Sequence, residues 1–123
     1  MKFEELRPIL RTEKLDETID FYTKILDFTC DERNDDWGWA SLHRDAVVIM
    51  LAKPNAHEGF AKPAFTGSFY ISINDVDAFW EKLKDKANIC YPIENFEWGM
   101  REFAIYDNNG YILQFGQDIP DYN

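Results

Sequence analysis

Thiols and imidazoles are scarce: Cys30, Cys90, His43 and His57 are the only cysteines and histidines in 123 residues. No CxxC spacing exists, so a zinc knuckle or a redox pair of that type is excluded. A chain of this length buries roughly two thirds of the surface its unfolded form exposes and needs no disulfide staple, so the thiols are expected reduced. Basic residues are also in deficit, 13 against 23 acidic ones, for a formal net charge of −10. That balance repels nucleic acid and anionic membrane surfaces and favours cationic partners, while also serving solubility. No apolar run approaches the roughly 18 to 20 residues of a membrane-spanning helix. The opening MKFEELRPIL has neither a basic n-region nor a long apolar h-region. The expectation is a soluble, cytoplasmic protein.

Aromatic residues, by contrast, are plentiful at 16%, with four tryptophans. That is more than packing alone usually takes, so some are expected to face a ligand or a subunit. Residues 8–12, PILRT, read as a short strand. Leu15, Ile19, Tyr22 and Leu26 then recur at helical spacing, and Glu13, Asp16 and Glu17 suit the positive end of a helix dipole. FTCDER, WGWASLHR and AVVIMLA predict three strands, the last two separated by a tight turn at Asp45. A proline- and glycine-punctuated stretch without periodicity, residues 53–66, reads as a linker.

The pattern then restarts. SFYISI predicts a strand, NDVDAFWEKLKDKA a helix with Val76, Phe79, Trp80 and Leu83 on one face, and ICYPI, REFAIY and YILQFG three more strands. DNNG supplies the turn of the last hairpin, with Asp107 stabilising it. A shift of 61 residues sets Val76 on Leu15, Trp80 on Ile19, Leu83 on Tyr22 and Ile71 on Leu10. The expected fold is therefore α+β, one domain over 1–123 made of two tandem βαβββ units, about 5–52 and 67–117. One helix covers one face of each sheet, and the open face is the natural place for a pocket.

With RPILRTEKLDETIDFYTKILDF at its start and EWGMREFAIYDNNGYILQFGQ at its end, essentially the whole chain resembles the glyoxalase/bleomycin resistance protein/dioxygenase, or vicinal oxygen chelate, superfamily. The closing segment is most similar to the bleomycin-resistance-type, metal-free members. In the metal-dependent members, ligands come from the first and last strand of each unit, and the resemblance sets those positions on Arg7, Met50, Ser68 and Gln114. Arg7 and Ser68 differ by the same 61 residues that align the helices. A guanidinium, a thioether, a hydroxyl and one neutral amide do not make a site for a divalent ion that usually takes three or more protein donors, so no metal and no cofactor is expected.

Strand alternation places Ile9, Arg11, Val48, Tyr70, Ser72 and Ile112 on the open face with those four. Leu10, Val47, Ile49, Leu51, Phe69, Ile71, Ile73, Leu113 and Phe115 pack under the helices. The mixture of groups on the open side is that of a small-molecule site. Trp37 and Trp39 are expected on one strand face, with Trp98 and Met100 ahead of the final hairpin. Together Arg7, Arg11, Trp37, Trp39, Met50, Ser68, Tyr70, Trp98, Met100, Ile112 and Gln114 form the candidate ligand-binding set. No catalytic residue is assigned: His43 and His57 read as surface histidines, and Arg101 with Glu102 as an ion pair. The resemblance further implies a homodimer with its groove at the subunit boundary, Pro8 as the hinge of the first strand, and sequestration of a cationic, partly aromatic, bleomycin-like antibiotic without chemistry. The alternative is a superfamily enzyme acting on a small oxygenated substrate with an atypical or absent metal site.

Overall fold

The first strand of the chain is short because Pro8 precedes it: proline has no N–H to give a ladder, and pairing begins one residue later. In the computed structural model, which describes residues 1–57 and 60–120, β1 spans Ile9–Arg11. α1 follows at Leu15–Asp20 and continues as a π-helical turn over Phe21–Ile25. Its entry is held by two buried threonines. Thr12 Oγ1 accepts the Lys14 N–H at 3.0 Å and lies 3.0 Å from Thr18 Oγ1, which donates to the Lys14 carbonyl at 2.8 Å. Asp16 and Glu17 occupy the first turn, where the helix dipole favours negative charge.

β2 (Thr29–Asn34), β3 (Trp39–Arg44) and β4 (Val47–Ala52) complete a sheet of order β1-β4-β3-β2, with β1 parallel to β4 and the other pairs antiparallel. Asp45 takes a positive φ of 51° in the tight turn between β3 and β4. Leu10, Ala40, Leu42, Ile49 and Leu51 are buried together with Ile19, Tyr22 and Leu26 of the helix, as period 2 in the strands and 3.6 in the helix require.

The second unit repeats the order. β5 (Phe69–Ser72), α2 (Val76–Leu83), β6 (Asn88–Asn95), β7 (Met100–Tyr106) and β8 (Ile112–Asp118) give a sheet of order β5-β8-β7-β6. Asp75 caps α2, its carboxylate accepting the Ala78 N–H at 3.2 Å. Phe79 and Trp80 pack their rings on Phe103, and Phe79 also meets Phe115 edge-on. Asp107 Oδ1 accepts from the N–H groups of Asn109 and Tyr111, and Gly110 takes a φ of 90°, closing the last hairpin as its residues demand. The chain divides into two compact units between Pro63 and Ala64, and residues 53–57 and 60–66 carry neither helix nor strand. No helix among the described residues is long and apolar enough to cross a membrane.

The cap makes one quantity measurable. Asp75→Ala removes an N-cap acceptor and is expected to lower unfolding free energy by about 1 kcal/mol. Urea denaturation should show it as a lower midpoint with an unchanged slope.

Candidate functional site

Two rungs across the second sheet determine which side chains meet on its helix-free face. The pairing register runs Tyr91–Ala104–Gln114–Tyr70 across one rung and Glu94–Glu102–Gly116–Ser72 across the next. Ala104 and Gly116 are the small members, and both are buried. Their neighbours therefore reach over them and meet above the sheet.

They meet at Glu102, which is 1% exposed. Its Oε1 accepts from the Tyr70 hydroxyl at 2.9 Å and from Trp98 Nε1 at 2.9 Å. Its Oε2 accepts from the Tyr91 hydroxyl and, at 3.5 Å, from Gln114 Nε2, which donates to the Tyr91 oxygen at 2.8 Å. Ser68 Oγ in turn donates to Gln114 Oε1. A buried carboxylate left without donors would cost several kcal/mol, so two phenols, an indole and an amide stabilise the charge in place.

Gly116 is what admits Tyr70. A Cβ built at Gly116 would lie 1.9 Å from the Tyr70 hydroxyl oxygen and 2.6 Å from Cζ, so the ring crosses the strand where a side chain would stand. Around the carboxylate, Phe96 stacks on Trp98 with centroids 4.6 Å apart and planes 14° apart, and meets Tyr91 edge-on at 5.5 Å. Gly99, at φ 83°, turns the chain so that Trp98 folds back to the strand it precedes. Trp98 remains 60% exposed and Tyr70 43%. Met100 and Ile112 stand two residues before Glu102 and Gln114 on the same face.

The phenols are held protonated. Burial, reinforced by the hydrogen bond to Glu102, pushes Tyr91 up to about 12. The same two causes raise Tyr70 well above the ordinary phenol range. Each hydroxyl gives its proton to Glu102 and presents its oxygen as an acceptor.

Among the described residues, the open face of the first unit carries these hollows. One, of about 480 Å³, is lined by Arg7, Asp31, Glu32, Ser41 and His43 among others. Arg7 lies outside β1, exposed and paired with Glu5 at 2.6 Å, which corrects its expected place on the strand; Pro8 intervenes, and its carbonyl accepts the Met50 N–H at 2.9 Å. Met50 sits between Ile9 and Ser41 in the ladder. A second, of about 330 Å³, brings together Arg11, Trp37 and Trp39. Trp37 is not on the strand with Trp39: it stands in the preceding turn, because Gly38 at φ 63° interrupts the extended chain.

One further expectation is corrected. Arg101 and Glu102 are no ion pair, since adjacent strand residues face opposite sides. Arg101 instead reaches Asp77 of α2 at 2.9 Å and Asn95 at 3.0 Å. His43 is a surface histidine on β3, as expected, and strand pairing sets Asp31 2.7 Å from its Nδ1. Glu102, Tyr91 and Gly116 stand outside the candidate set. The parity of β7, with Met100 assigned to the open face, already pointed Glu102 there.

At the four positions where the resemblance sets metal ligands, the side chains present do not fit a divalent ion. Ser68 and Gln114 bond to each other, the Gln114 amide is committed to Tyr91 and Glu102, and Arg7 is a cation paired with Glu5. Among the described residues no group of three or more His, Cys, Asp or Glu side chains is placed to hold an ion.

Two predictions follow from the Glu102 cluster. Gly116→Ala is expected to drive Tyr70 off Glu102 and destabilise the chain by about 1 to 3 kcal/mol; combined with Tyr70→Ala the penalty should be much less than additive in a double-mutant cycle. Raised phenol pKa values mean that the folded state keeps protons the unfolded state has lost above pH 10. Stability is then full below about pH 10 and falls as the pH rises toward 12. Denaturation midpoints across that range, with absorbance at 295 nm reporting phenolate, check the sign.

The comparisons with known proteins agree with this architecture. None of the curated proteins matches the sequence. Among solved structures, TioX from Micromonospora sp. ML1 is similar at 18% identity and a TM-score of 0.76, over 95% of this chain and 100% of that one. The bleomycin-binding protein of Streptomyces verticillus, complexed with copper(II)-bleomycin, is similar at 22% and 0.71, covering 94% and 96%. Lactoylglutathione lyase from Agrobacterium tumefaciens is similar at 13% and 0.70, covering 93% and 92%. At those identities the likeness is one of fold. The Glyoxalase/Bleomycin resistance protein/Dioxygenase superfamily model matches residues 6–115, and with that span and the doubled βαβββ sheet the chain belongs to this superfamily.

Proposed function

We propose that this protein is a small-molecule binding protein of the bleomycin-resistance type, holding a cationic, partly aromatic compound by sequestration, without chemistry. The observation that carries the reading is Glu102: a buried carboxylate whose protein donors are all neutral, so that its charge is uncompensated by any of the groups bonded to it. Its field favours a cation at the face above it. Its own lone pairs are occupied, so a ligand meets it through the Tyr70 oxygen, an acceptor that selects ammonium, guanidinium or amide N–H groups.

Phe96 covers one face of the Trp98 indole, and the indole's high exposure leaves surface for a planar ring, a contact worth about 0.5 to 1.5 kcal/mol. Ser68, Met100, Ile112 and Gln114 complete this lining. The net charge of −10 supports the same sign of partner. The reading carries with it a cytoplasmic homodimer hinged at Pro8 and a part in antibiotic resistance.

A second reading, a metal-independent superfamily enzyme acting on a small oxygenated substrate, draws on His43. With Nδ1 held by Asp31 at 2.7 Å, its other ring nitrogen is oriented to move a proton in the hollow beside Ser41.

Copper(II)-bleomycin, the compound held by the Streptomyces verticillus neighbour, is the probe. Titration calorimetry is expected to show saturable binding with micromolar or tighter affinity, weakened at least tenfold by Trp98→Ala. No heat of binding at high micromolar protein sinks the sequestration reading. Unchanged affinity in Trp98→Ala would move the site off the second unit.

A further inference from the structure

The charge on Glu102 determines where the protons of its neighbours point. A carboxylate carries no proton, so every group bonded to it must donate. Tyr70 and Trp98 give theirs to Oε1, each at 2.9 Å, and Tyr91 gives its own to Oε2. Gln114 reaches the same Oε2 at 3.5 Å, which fixes its amide with the nitrogen inward. Its Nε2 also donates to the Tyr91 oxygen at 2.8 Å, so both amide N–H groups are engaged. The amide oxygen is left for Ser68, whose hydroxyl donates to it. Direction thus passes from the carboxylate, through the amide, to the serine.

The consequence is felt at the surface. Donors from Tyr70, Trp98, Tyr91 and Gln114 meet the roughly four lone-pair positions of a carboxylate and leave it none for a ligand. The O–H and N–H groups of these side chains all point into the cluster, and what Tyr70 and Ser68 turn outward is oxygen lone pairs. Both residues are exposed, two positions apart on one side of the chain, roughly 7 Å along it. Trp98 shares Oε1 with Tyr70, which puts its exposed indole and the Tyr70 oxygen within reach of one ligand. A carbonyl or an oxyanion brought to these oxygens sets acceptor against acceptor, whereas an N–H group finds a partner. A quaternary ammonium brings the charge without the N–H.

We propose that Glu102 sets the specificity of this face from beneath it, holding the Tyr70 and Ser68 hydroxyls as acceptors. The ligand class is then a cation bearing N–H groups, a primary ammonium or a guanidinium, and neither a quaternary ammonium nor a carbonyl compound. The proposal rests on the reading of this face as a cation site. Glu102 is a positioning residue in it, acting through the two hydroxyls.

Glu102→Gln keeps the shape and reverses the direction. Trp98 can only donate, so the new amide keeps its oxygen at the Oε1 place and sets its nitrogen at the Oε2 place. Facing that nitrogen, Gln114 turns its oxygen inward and its nitrogen to Ser68. The Ser68 proton is then released toward the ligand.

The probes are benzylammonium, benzyltrimethylammonium and acetophenone: one ring carrying a charge with N–H donors, the charge alone, and a carbonyl acceptor. Titrations of the full chain are followed at the Trp98 indole N–H in nitrogen-15 spectra, assigned with Trp98→Phe. Benzylammonium is expected to bind about tenfold more tightly than benzyltrimethylammonium, the difference made by a charge-assisted hydrogen bond, with acetophenone weakest. A surface that answers to charge and ring alone would hold the two cations equally. In Glu102→Gln the loss of charge weakens both cations, but their ratio is expected to fall to about two or less, and acetophenone to gain. Ser68→Ala, a change at an exposed position that leaves the donors on the carboxylate in place, is expected to lower the ratio about threefold, and it carries the test should Glu102→Gln not fold. Equal or tighter binding of benzyltrimethylammonium, or a ratio unchanged in the variant that folds, overturns the proposal and leaves the cation-binding face standing. No Trp98 shift with either cation overturns both. Calorimetry with copper(II)-bleomycin reports on one compound and not on the direction of these protons, so the two readings fail separately.

Discussion

Each half of this protein has four strands and a single helix of its own to cover them. That shortage of helix is the constraint on which the rest turns. A sheet buries one face against its helix by placing Leu, Ile and Phe at every second position, and the alternate positions inherit the other face. In the first unit Leu10, Ile49 and Leu51 go one way and Ile9, Met50 and Arg11 the other. In the second, Phe103, Leu113 and Phe115 go one way and Glu102, Gln114 and Tyr70 the other. The doubled core thus creates two chemically free surfaces as a by-product of ordinary packing.

What each surface does with that freedom differs. The second unit spends it on a polar network in which small residues at Ala104 and Gly116 open space for long neighbours to converge. A carboxylate buried to 1% exposure is tolerable only because Tyr70, Tyr91, Trp98 and Gln114 all turn donors to it. The satisfied carboxylate orients those rings in turn, so the same bonds that stabilise the charge preorganise the face. In the first unit, the hollow that brings together Arg11, Trp37 and Trp39 is set by backbone, through the left-handed turn at Gly38 and the Lys53 stem lying across it.

The superfamily's metal-dependent members and this chain share a scaffold and part at the donor set. At the positions that the resemblance sets for ligands, Ser68 bonds to Gln114 and Arg7 pairs with Glu5. The fold leaves function to the side chains that its strands present, which is why fold similarity to a bleomycin-binding protein and to a lactoylglutathione lyase coexists at comparable TM-scores.

The repeat, the two helix faces, the succession of elements along the chain and the turn at Asp107–Gly110 were all legible in the amino-acid sequence, because each follows from local periodicity or turn chemistry that neighbouring residues carry between them. Tertiary structure alone decided who meets whom across strands. Glu102 looked like a partner for Arg101 until opposite pleats sent one to α2 and the other to three aromatic donors. The nearness of Asp31 to His43 came from the pairing of β2 with β3. Trp37 left its strand at a glycine. Contacts of that kind depend on register between distant segments and on which small residue lies between two large ones, and a chain read one residue at a time carries neither.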